Sequence, residues 1–261
     1  MPHVDKHPAG EFCWMELATS DQAAAKSFYG ALFGWSPNDS PVGPDQFYTI
    51  FSLDGQHCAA AYTLTDAERS AGLPPHWNLY IAVENADRAA AKAAELGAKV
   101  LDGAFDVMDA GRMAILQDPT GAVFVVWQAN RNPGIGISGE PGAFCWADLN
   151  TSNRERAKQF YSAFFDWKIT PGEGKSESDY LHIQNGVQFV GGIPPCEDFG
   201  ENIPPHWMVY FLVKDIEASA AKAKELGAKF HMPPTMIEDV GRMAIMADPQ
   251  GAVSAIFQPE H

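Results

Sequence analysis

Two acidic residues in repeated surroundings are the first candidates for chemistry. Glu16 lies in the stretch FCWMEL and Asp148 in the stretch FCWADL. A histidine follows later in each half, His76 and His206, both in the sequence PPHW. Carboxylates and imidazoles often carry protons in enzymes, because their surroundings can move their pKa values toward neutrality. The sequence therefore predicts Glu16, His76, Asp148 and His206 as candidate catalytic residues.

Each of these candidates also has a structural interpretation. A carboxylate among inward-facing aromatic side chains must find a partner or lose solvation energy, but the turn at Thr19 and Ser20 could leave Glu16 hydrated at a strand end. The prolines before His76 and His206 hold the backbone extended, so these histidines could be loop residues that only guide the chain into a strand. The sequence leaves both interpretations open.

Two arginines in the repeated sequence GRMA have two possible roles. Arg112 and Arg242 each follow an acid by three residues, Asp109 and Asp239. They could pair with those acids or anchor an anionic group of a ligand, and the structural pairing is favoured. The chain has no Walker loop, no G-x-S-x-G and no H-E-x-x-H, so nucleotide, serine-hydrolase and zinc-protease chemistry are not indicated.

The second half of the chain repeats the first at an offset of 130 to 132 residues. The segment LPPHWNLYIAVENADRAAAKAAELGAKV from Leu73 matches IPPHWMVYFLVKDIEASAAKAKELGAKF from Ile203. A period of this length indicates duplicated domains, since solenoid repeats run about 20–50 residues. Glycines, prolines and asparagines between the halves predict a linker, which we expect to be the internal segment most open to proteases. The predicted division is an N-terminal extension at 1–10, a first domain at 11–128, a linker at 129–142 and a second domain at 143–258.

Each half shows strand and helix signals in the same order. In the first half a strand at 12–18 precedes a helix that ends near Phe33, and a β-rich stretch follows at 47–63. A second unit of the same kind has the strand WNLYIAV, a helix at about 86–96 ended by Gly97, and three further strands. Each half is therefore predicted to contain two β-α-β-β-β modules, and the fold class is α+β.

Strand alternation places residues of one parity on one face of a sheet, where they would line a concave cleft. Apolar concave walls with few polar groups are typical of small-molecule sites. For any one aromatic side chain, the alternative is that it fills the interior without touching a ligand. The predicted ligand-binding residues are Phe12, Trp14, Asn78, Tyr80, Trp127, Phe144, Trp146, Met208, Tyr210 and Phe257.

Three repeated motifs resemble the vicinal oxygen chelate superfamily, which includes glyoxalase I, the bleomycin-resistance proteins and the extradiol dioxygenases. They are SDQAAAKSFYGALFGW, VENADRAAAKAAELGA and QDPTGAV, each with a counterpart in the second half. The chain looks most like the tandem glyoxalase-like proteins of actinobacteria. The resemblance implies two glyoxalase-like domains, each with paired βαβββ modules that form a curved mixed sheet around a cleft. It also implies that Glu16 approaches His76 and that Asp148 approaches His206.

The same resemblance bears on metal binding. In metal-using members of the superfamily, the ligand positions correspond here to Trp14, Asn78, Val125, Trp146, Met208 and Ala255. None of these is a usual metal-binding side chain, and a divalent ion needs three or four suitable nitrogen, sulfur or oxygen donors. We therefore predict no bound metal and no other cofactor, which argues against glyoxalase I and dioxygenase chemistry.

Composition limits the partners. A net charge of −15 argues against binding to nucleic acid or to an anionic membrane surface. No apolar run approaches the ~20 residues that span a bilayer, and the N-terminus does not resemble a secretory signal. The four cysteines do not form a disulfide framework. We expect a cytoplasmic protein, monomeric or homodimeric, whose partner is a small molecule.

Two functions of different class fit these features. The first is an enzyme of the glyoxalase, bleomycin-resistance and dioxygenase group that acts on a small organic molecule in aromatic-lined clefts without the usual metal. The second is a protein that sequesters a drug or metabolite and performs no chemistry. A metal-dependent glyoxalase-type lyase with atypical ligands is a further alternative.

Overall fold

The computed structural model describes residues 6–44, 46–172, 179–195 and 203–260. The elements of the first half alternate as the sequence predicts, with one additional short helix between the two modules. In chain order they are β1 (Phe12–Thr19), α1 (Gln22–Phe33), β2 (Ser36–Gly43), β3 (Gln46–Leu53), β4 (Gln56–Thr63), α2 (Asp66–Ser70), β5 (His76–Ala82), α3 (Ala86–Glu95), β6 (Lys99–Val107), β7 (Gly111–Gln117) and β8 (Val123–Ala129).

The second half repeats this order. Its described elements are β9 (Phe144–Asn150), α4 (Arg154–Phe165), β10 (Lys168–Pro171), β11 (Leu181–Asn185), β12 (Gln188–Ile193), β13 (His206–Leu212), α5 (Ile216–Glu225), β14 (Lys229–Ile237), β15 (Gly241–Ala247) and β16 (Val253–Pro259). In the part of the chain that the structure describes, no helix has the length and apolar character that crossing a bilayer requires.

The first strands of the two modules lie side by side at the centre of each sheet. β1 pairs antiparallel with β5, and each pairs in parallel with the last strand of its own module, β4 or β8. The strand order is β2-β3-β4-β1-β5-β8-β7-β6 in the first sheet and β10-β11-β12-β9-β13-β16-β15-β14 in the second. Modules therefore pair within each half, a choice that the sequence left open. The prediction of two α+β domains built from βαβββ modules is confirmed.

Capping side chains explain where the helices begin. Asp21 before α1 and Asn153 before α4 each accept a hydrogen bond from the backbone N–H three residues later. Asn85 and Asp215 do the same for α3 and α5. Such caps satisfy N–H groups that have no partner inside the helix. Helix α1 ends at Gly34, whose φ of 79° lies in the left-handed region that glycine adopts without strain.

The long helix of each half contacts the other half through a reciprocal hydrogen bond. Tyr29 of α1 donates to Asp248 at 3.0 Å, and Tyr161 of α4 donates to Asp118 at 3.0 Å. Both acids belong to the repeated D-P-x-G turns, and their other carboxylate oxygen accepts backbone N–H groups of the same turn. The F-Y and D-P motifs of the sequence therefore join the two domains.

The middle of the linker, residues 134–137, is buried. Ile135 and Ile137 are only 1% and 3% exposed. The backbone N–H of Ile135 donates to the carbonyl of Cys13, and the N–H of Gly136 donates to the carbonyl of His57, both at 2.8 Å. Apolar side chains within the Gly- and Pro-rich stretch thus bury this part of the linker against the first domain. That the linker is the internal segment most open to proteases stays a prediction.

The GRMA arginines form ion pairs, but not with the acids that the sequence suggested. Arg112 bonds to Asp87 of α3 and to Asp106 of β6, at 2.8 and 2.9 Å. Arg242 bonds to Glu217 of α5. Strand pairing places each arginine beside the neighbouring edge strand, within reach of the helix behind it. The structural role is therefore the one observed, with different partners.

Candidate functional site

The first sheet curves around a cleft of about 540 Å³. Volumes of this size are typical of sites for small organic molecules. The walls are largely apolar and aromatic, and one carboxylate, that of Glu16, lies among them. The side chains that shape the inner surface include Trp14, Tyr48, Ile50, Tyr80, Met113 and Trp127.

Two tyrosine hydroxyls hold the carboxylate of Glu16. Tyr48 of β3 donates to Oε1 at 2.7 Å, and Tyr80 of β5 donates to Oε2 at 2.6 Å. The indole N–H of Trp14 donates in turn to the hydroxyl oxygen of Tyr48 at 3.0 Å. β1 lies between β4 and β5, so its inward side chains are in reach of tyrosines from both modules. The result is a hydrogen-bonded chain that ends on one buried acid.

Burial determines how this cluster titrates. Loss of hydration raises the pKa of Glu16 above its usual value, and the hydrogen bonds from Tyr80 and Tyr48 only partly oppose this effect. Burial, together with the nearby negative charge of Glu16, raises the pKa of both tyrosines. The phenols therefore remain hydrogen-bond donors near neutral pH, and Glu16 is the member of the cluster best suited to exchange a proton.

The second half contains the same cluster with a shorter acid. Asp148 accepts hydrogen bonds from Tyr180 at 2.5 Å, from Tyr210 at 2.7 Å and from the indole N–H of Trp146 at 3.0 Å. The indole also donates to the hydroxyl oxygen of Tyr180 at 2.7 Å. Burial raises the pKa of Asp148, as it does that of Glu16.

A glycine accommodates the shorter side chain of Asp148. Gly192 lies beside Asp148 in the sheet, where the first half has Ala60 beside Glu16. A Cβ atom on Gly192 would lie 1.9 Å from the hydroxyl oxygen of Tyr180. Tyr180 therefore occupies the space that an alanine methyl group would fill. The glycine lets the hydroxyl come close enough to β9 to reach an aspartate.

The two candidate histidines bond to loop and neighbouring groups. His76 Nδ1 lies 2.8 Å from the carbonyl oxygen of Pro74. His206 Nδ1 lies 2.9 Å from the carbonyl oxygen of Pro204, and its Nε2 lies 3.0 Å from the side-chain nitrogen of Asn150. Burial lowers the pKa of His206. The described hydrogen bonds of the two acids thus come from tyrosine and tryptophan, and the acid–histidine pairs stay a prediction.

Strand alternation misplaces two of the predicted lining residues. The pairing of β1 with β5 shifts register between Phe12 and Trp14, and β9 has the same irregularity after Phe144. Phe12 therefore contacts Phe144, with ring centroids 6.0 Å apart, and Trp207 at 5.1 Å. Since a bulge turns side chains to the opposite face, both phenylalanines lie in the aromatic core between the domains and not in a cleft.

Of the other predicted lining residues in the first half, Trp14, Tyr80 and Trp127 line the cleft, and Asn78 is not among the described residues that line it. Asn78 lies opposite Glu16, and its amide nitrogen is 3.5 Å from the hydroxyl of Tyr62. In the second half, one apolar cluster on the sheet includes the remaining predicted residues Trp146, Met208, Tyr210 and Phe257.

Sequence reasoning missed Tyr48 and Tyr180. Tyr48 lies in the stretch 47–63 that was predicted only as β-rich, and Tyr180 occupies the equivalent place in the second half, 132 residues later. A search for polar residues repeated at the offset of the duplication would have found them.

The donor atoms present do not fit a divalent metal ion. In the strand register Trp14 pairs with Tyr80 and Tyr80 with Val125. Asn78 lies two residues before Tyr80 on the same strand, opposite Glu16. Indole and alkyl groups supply no ligand atoms, so these positions leave too few donors for a firmly held ion. Within the described residues, no three His, Cys, Asp or Glu side chains converge.

Both halves match known protein families. Residues 11–126 match the Glyoxalase/Bleomycin resistance protein/Dioxygenase superfamily, and residues 146–257 match the glyoxalase-like domain. The chain belongs to this superfamily. It is 38% identical over 262 residues to "Putative glyoxylase CFP32" of Mycobacterium tuberculosis, which covers 99% of this chain and 98% of the relative. It is 31% identical over 266 residues to "Anthracycline biosynthesis protein DnrV" of Streptomyces peucetius, covering 95% of this chain and 93% of the relative.

Solved structures of superfamily members share the fold. The Mn(II)-bound glyoxalase from Novosphingobium aromaticivorans aligns with a TM-score of 0.66 and 16% identity, covering 96% of this chain and 82% of that chain. The dioxygenase LapB from Pseudomonas sp. KL28 aligns with a TM-score of 0.67 and 13% identity, covering 97% and 94%. At these identities the likeness establishes the architecture and leaves the chemistry to the site itself.

Proposed function

We propose that the first cleft binds a flat, largely apolar organic molecule and that Glu16 exchanges a proton with it without a metal ion. The observation that carries this proposal is the buried carboxylate of Glu16, held by Tyr48 and Tyr80 at the inner surface of a cleft of about 540 Å³. Aromatic walls favour a ligand with a planar face, because ring contacts add to the free energy of burial.

The chemistry that suits this site is proton transfer next to a carbonyl group. A carboxylate whose pKa is raised by burial is a stronger base than one in water, and it can accept a proton from a C–H or O–H group of the ligand. The hydroxyls of Tyr48 and Tyr80 hold its two oxygens in place before and after the transfer. Return of the proton to another atom of the ligand completes an isomerisation or prepares an elimination.

The relatives support the choice of ligand class. One is named for anthracycline biosynthesis and another for glyoxylase activity. Anthracyclines are planar, polycyclic and rich in hydroxyl and carbonyl groups. Such a molecule offers a face for Trp14 and Trp127 and a hydroxyl for Glu16. A dianionic ligand would meet the buried carboxylate unfavourably, so neutral or cationic molecules are expected to bind better than small dicarboxylates.

Sequestration of the same ligand class is the second candidate function. It is favoured by the hydrogen bonds to both oxygens of Glu16, since they hold the carboxylate in place while each oxygen keeps a lone pair that can accept a ligand hydroxyl. A cytoplasmic location, a monomeric or homodimeric state and the absence of a cofactor remain predictions under either function.

The test separates binding from chemistry. Chrysophanol, a neutral dihydroxyanthraquinone, is titrated against tryptophan fluorescence, and a panel of hydroxyketones and anthraquinones is incubated with the protein in heavy water. We expect quenching by chrysophanol, and deuterium incorporation into some panel members that Glu16→Gln abolishes and Asp148→Asn preserves. Binding without exchange or turnover would favour sequestration, and no binding of any planar compound would refute the ligand class. Metal analysis of untagged protein checks metal independence: one tightly bound divalent ion per chain would contradict it.

A further inference from the structure

The linker between the two domains forms part of the first cleft. Arg131, Asn132, Pro133, Gly134 and Gly136 all line it. We call residues 131–136 the linker wall. It lies beside the aromatic surface that surrounds Glu16, so a ligand that fills the cleft would touch both domain and linker.

The linker wall is held in a preformed position. Strands β1 and β4 pair directly only from Glu16 and Ala60 onward. Before these residues, the linker lies against both strands: its backbone N–H groups donate to the carbonyls of Cys13 in β1 and His57 in β4, each at 2.8 Å. A Cβ atom on Gly134 would lie 2.3 Å from the carbonyl oxygen of Cys13, so only glycine allows this close approach.

Hydrogen bonds to the second module also fix the beginning of the linker wall. The indole N–H of Trp127, a cleft residue, donates to the backbone carbonyl of Asn132 at 3.0 Å. The backbone N–H of Asn132 donates to the carbonyl of Ala110, in the turn between β6 and β7. These bonds attach the segment to the second module, while the bonds to β1 and β4 attach it to the first. The linker wall therefore spans the two modules that form the cleft.

Arg131 brings a positive charge to this wall. It is the one lysine or arginine among the described residues that line the cleft. Its side chain is 78% exposed and pairs with Asp109, which is 64% exposed, at 2.8 Å. An exposed ion pair contributes little stability, so the guanidinium can exchange its partner at small cost. A guanidinium binds carboxylate or carbonyl oxygens through directed hydrogen bonds.

We propose that Arg131 on the linker wall contacts the ligand. It selects planar molecules that carry a carboxylate or another strong hydrogen-bond acceptor at the end that projects from the cleft next to the linker. This inference rests on the proposed function, because it concerns the same cleft and the same planar ligand class. It adds a second recognition point. Glu16 meets a hydroxyl inside the cleft, Arg131 meets an acceptor at the linker, and the aromatic walls cover the body between them.

Two matched probes test the proposal. Chrysophanol and rhein share a dihydroxyanthraquinone core, and rhein carries a carboxylate where chrysophanol carries a methyl group. Both are titrated by fluorescence against the full chain and its variants. Arg131→Ala is expected to weaken rhein binding roughly two- to fivefold, the size of one exposed charge pair, and to leave chrysophanol binding unchanged.

Two further variants sharpen the test. Asp109→Asn releases Arg131 from its ion pair without changing the size of the side chain, so it should tighten rhein binding and leave chrysophanol unchanged. Ser138→Ala alters an exposed linker residue outside the linker wall and should change neither probe. Far-ultraviolet circular dichroism confirms that each variant is folded.

The outcomes separate the two proposals. If both probes bind the wild type and Glu16→Gln weakens them, but Arg131→Ala changes rhein and chrysophanol equally or not at all, the role of Arg131 is refuted and the proposed function stands. Asp109→Asn weakening rhein would also refute it. If neither probe binds the wild type, the proposed ligand class fails and the inference fails with it.

Discussion

Replacing Gly192 with alanine should break the acid cluster of the second domain. The added Cβ atom would lie 1.9 Å from the hydroxyl oxygen of Tyr180. Carbon and oxygen atoms without a bond between them need more than about 3 Å, so the tyrosine ring must move by roughly 1 Å or more. That movement breaks the 2.5 Å bond to Asp148 and the 2.7 Å bond from Trp146.

The cost follows from the bonds that are lost. A hydrogen bond to a charged group contributes about 1.5–3 kcal/mol, and alanine returns about 0.5–1 kcal/mol relative to glycine within a strand. Counting the bond to Asp148 alone, the net loss for Gly192→Ala is therefore about 0.5–2.5 kcal/mol. For a chain of this size that corresponds to a fall in Tm of roughly 1–10 °C.

The first domain supplies both a control and a rescue. Ala60→Gly, at the equivalent position, should cost only about 0.5–1 kcal/mol, because the bond between Tyr48 and Glu16 does not depend on the methyl group. Combining Gly192→Ala with Asp148→Glu recreates the arrangement of the first domain and should recover part of the loss. Calorimetry on these three variants and on Asp148→Glu alone measures the coupling. A Gly192→Ala protein as stable as the wild type, or strictly additive effects in the double variant, would refute the reasoning.

Three further predictions concern the domain contact, the titration of the buried acid and the linker. Tyr29→Phe and Tyr161→Phe should each lower the free energy of unfolding by about 1–3 kcal/mol in urea denaturation, because a buried carboxylate oxygen loses its hydrogen-bond donor. A loss of less than about 0.5 kcal/mol, as for surface substitutions, would contradict the reciprocal contact. Burial raises the folded-state pKa of Glu16 above the unfolded value. The stability that Glu16 contributes is therefore complete below the unfolded pKa and is lost as pH rises through the folded pKa. The stability of Glu16→Gln relative to the wild type should increase from acidic to alkaline buffer, and a difference that does not change with pH would count against the shift. Ile135→Ala should lower stability by about 2–4 kcal/mol and speed proteolysis of the linker, whereas unchanged cleavage would show that Ile135 does not hold it.

Some of the site could be read directly from the sequence and some could not. Alternation along β1 is local, so Glu16 and Trp14 were correctly placed on one face. The same rule failed at Phe12, since a bulge depends on how two strands pair and not on either strand alone. The tyrosines that hold Glu16 come from β3 and β5, more than thirty residues away in each case, as their hydrogen bonds record separations of 32 and 64 residues.

The sequence by itself determined the duplication, the order of the elements and the superfamily, because helix caps, strand alternation and repeated motifs are local or periodic signals. Only the tertiary structure decided that modules pair within each half, that Tyr29 and Tyr161 reach across to the D-P turns of the other domain, and that the linker forms a wall of the first cleft. These outcomes depend on contacts between residues far apart in the chain, and many pairings of the same strands satisfy the same local pattern. Packing selects one of them, because it must bury the aromatic faces of both halves and satisfy their polar groups at the same time.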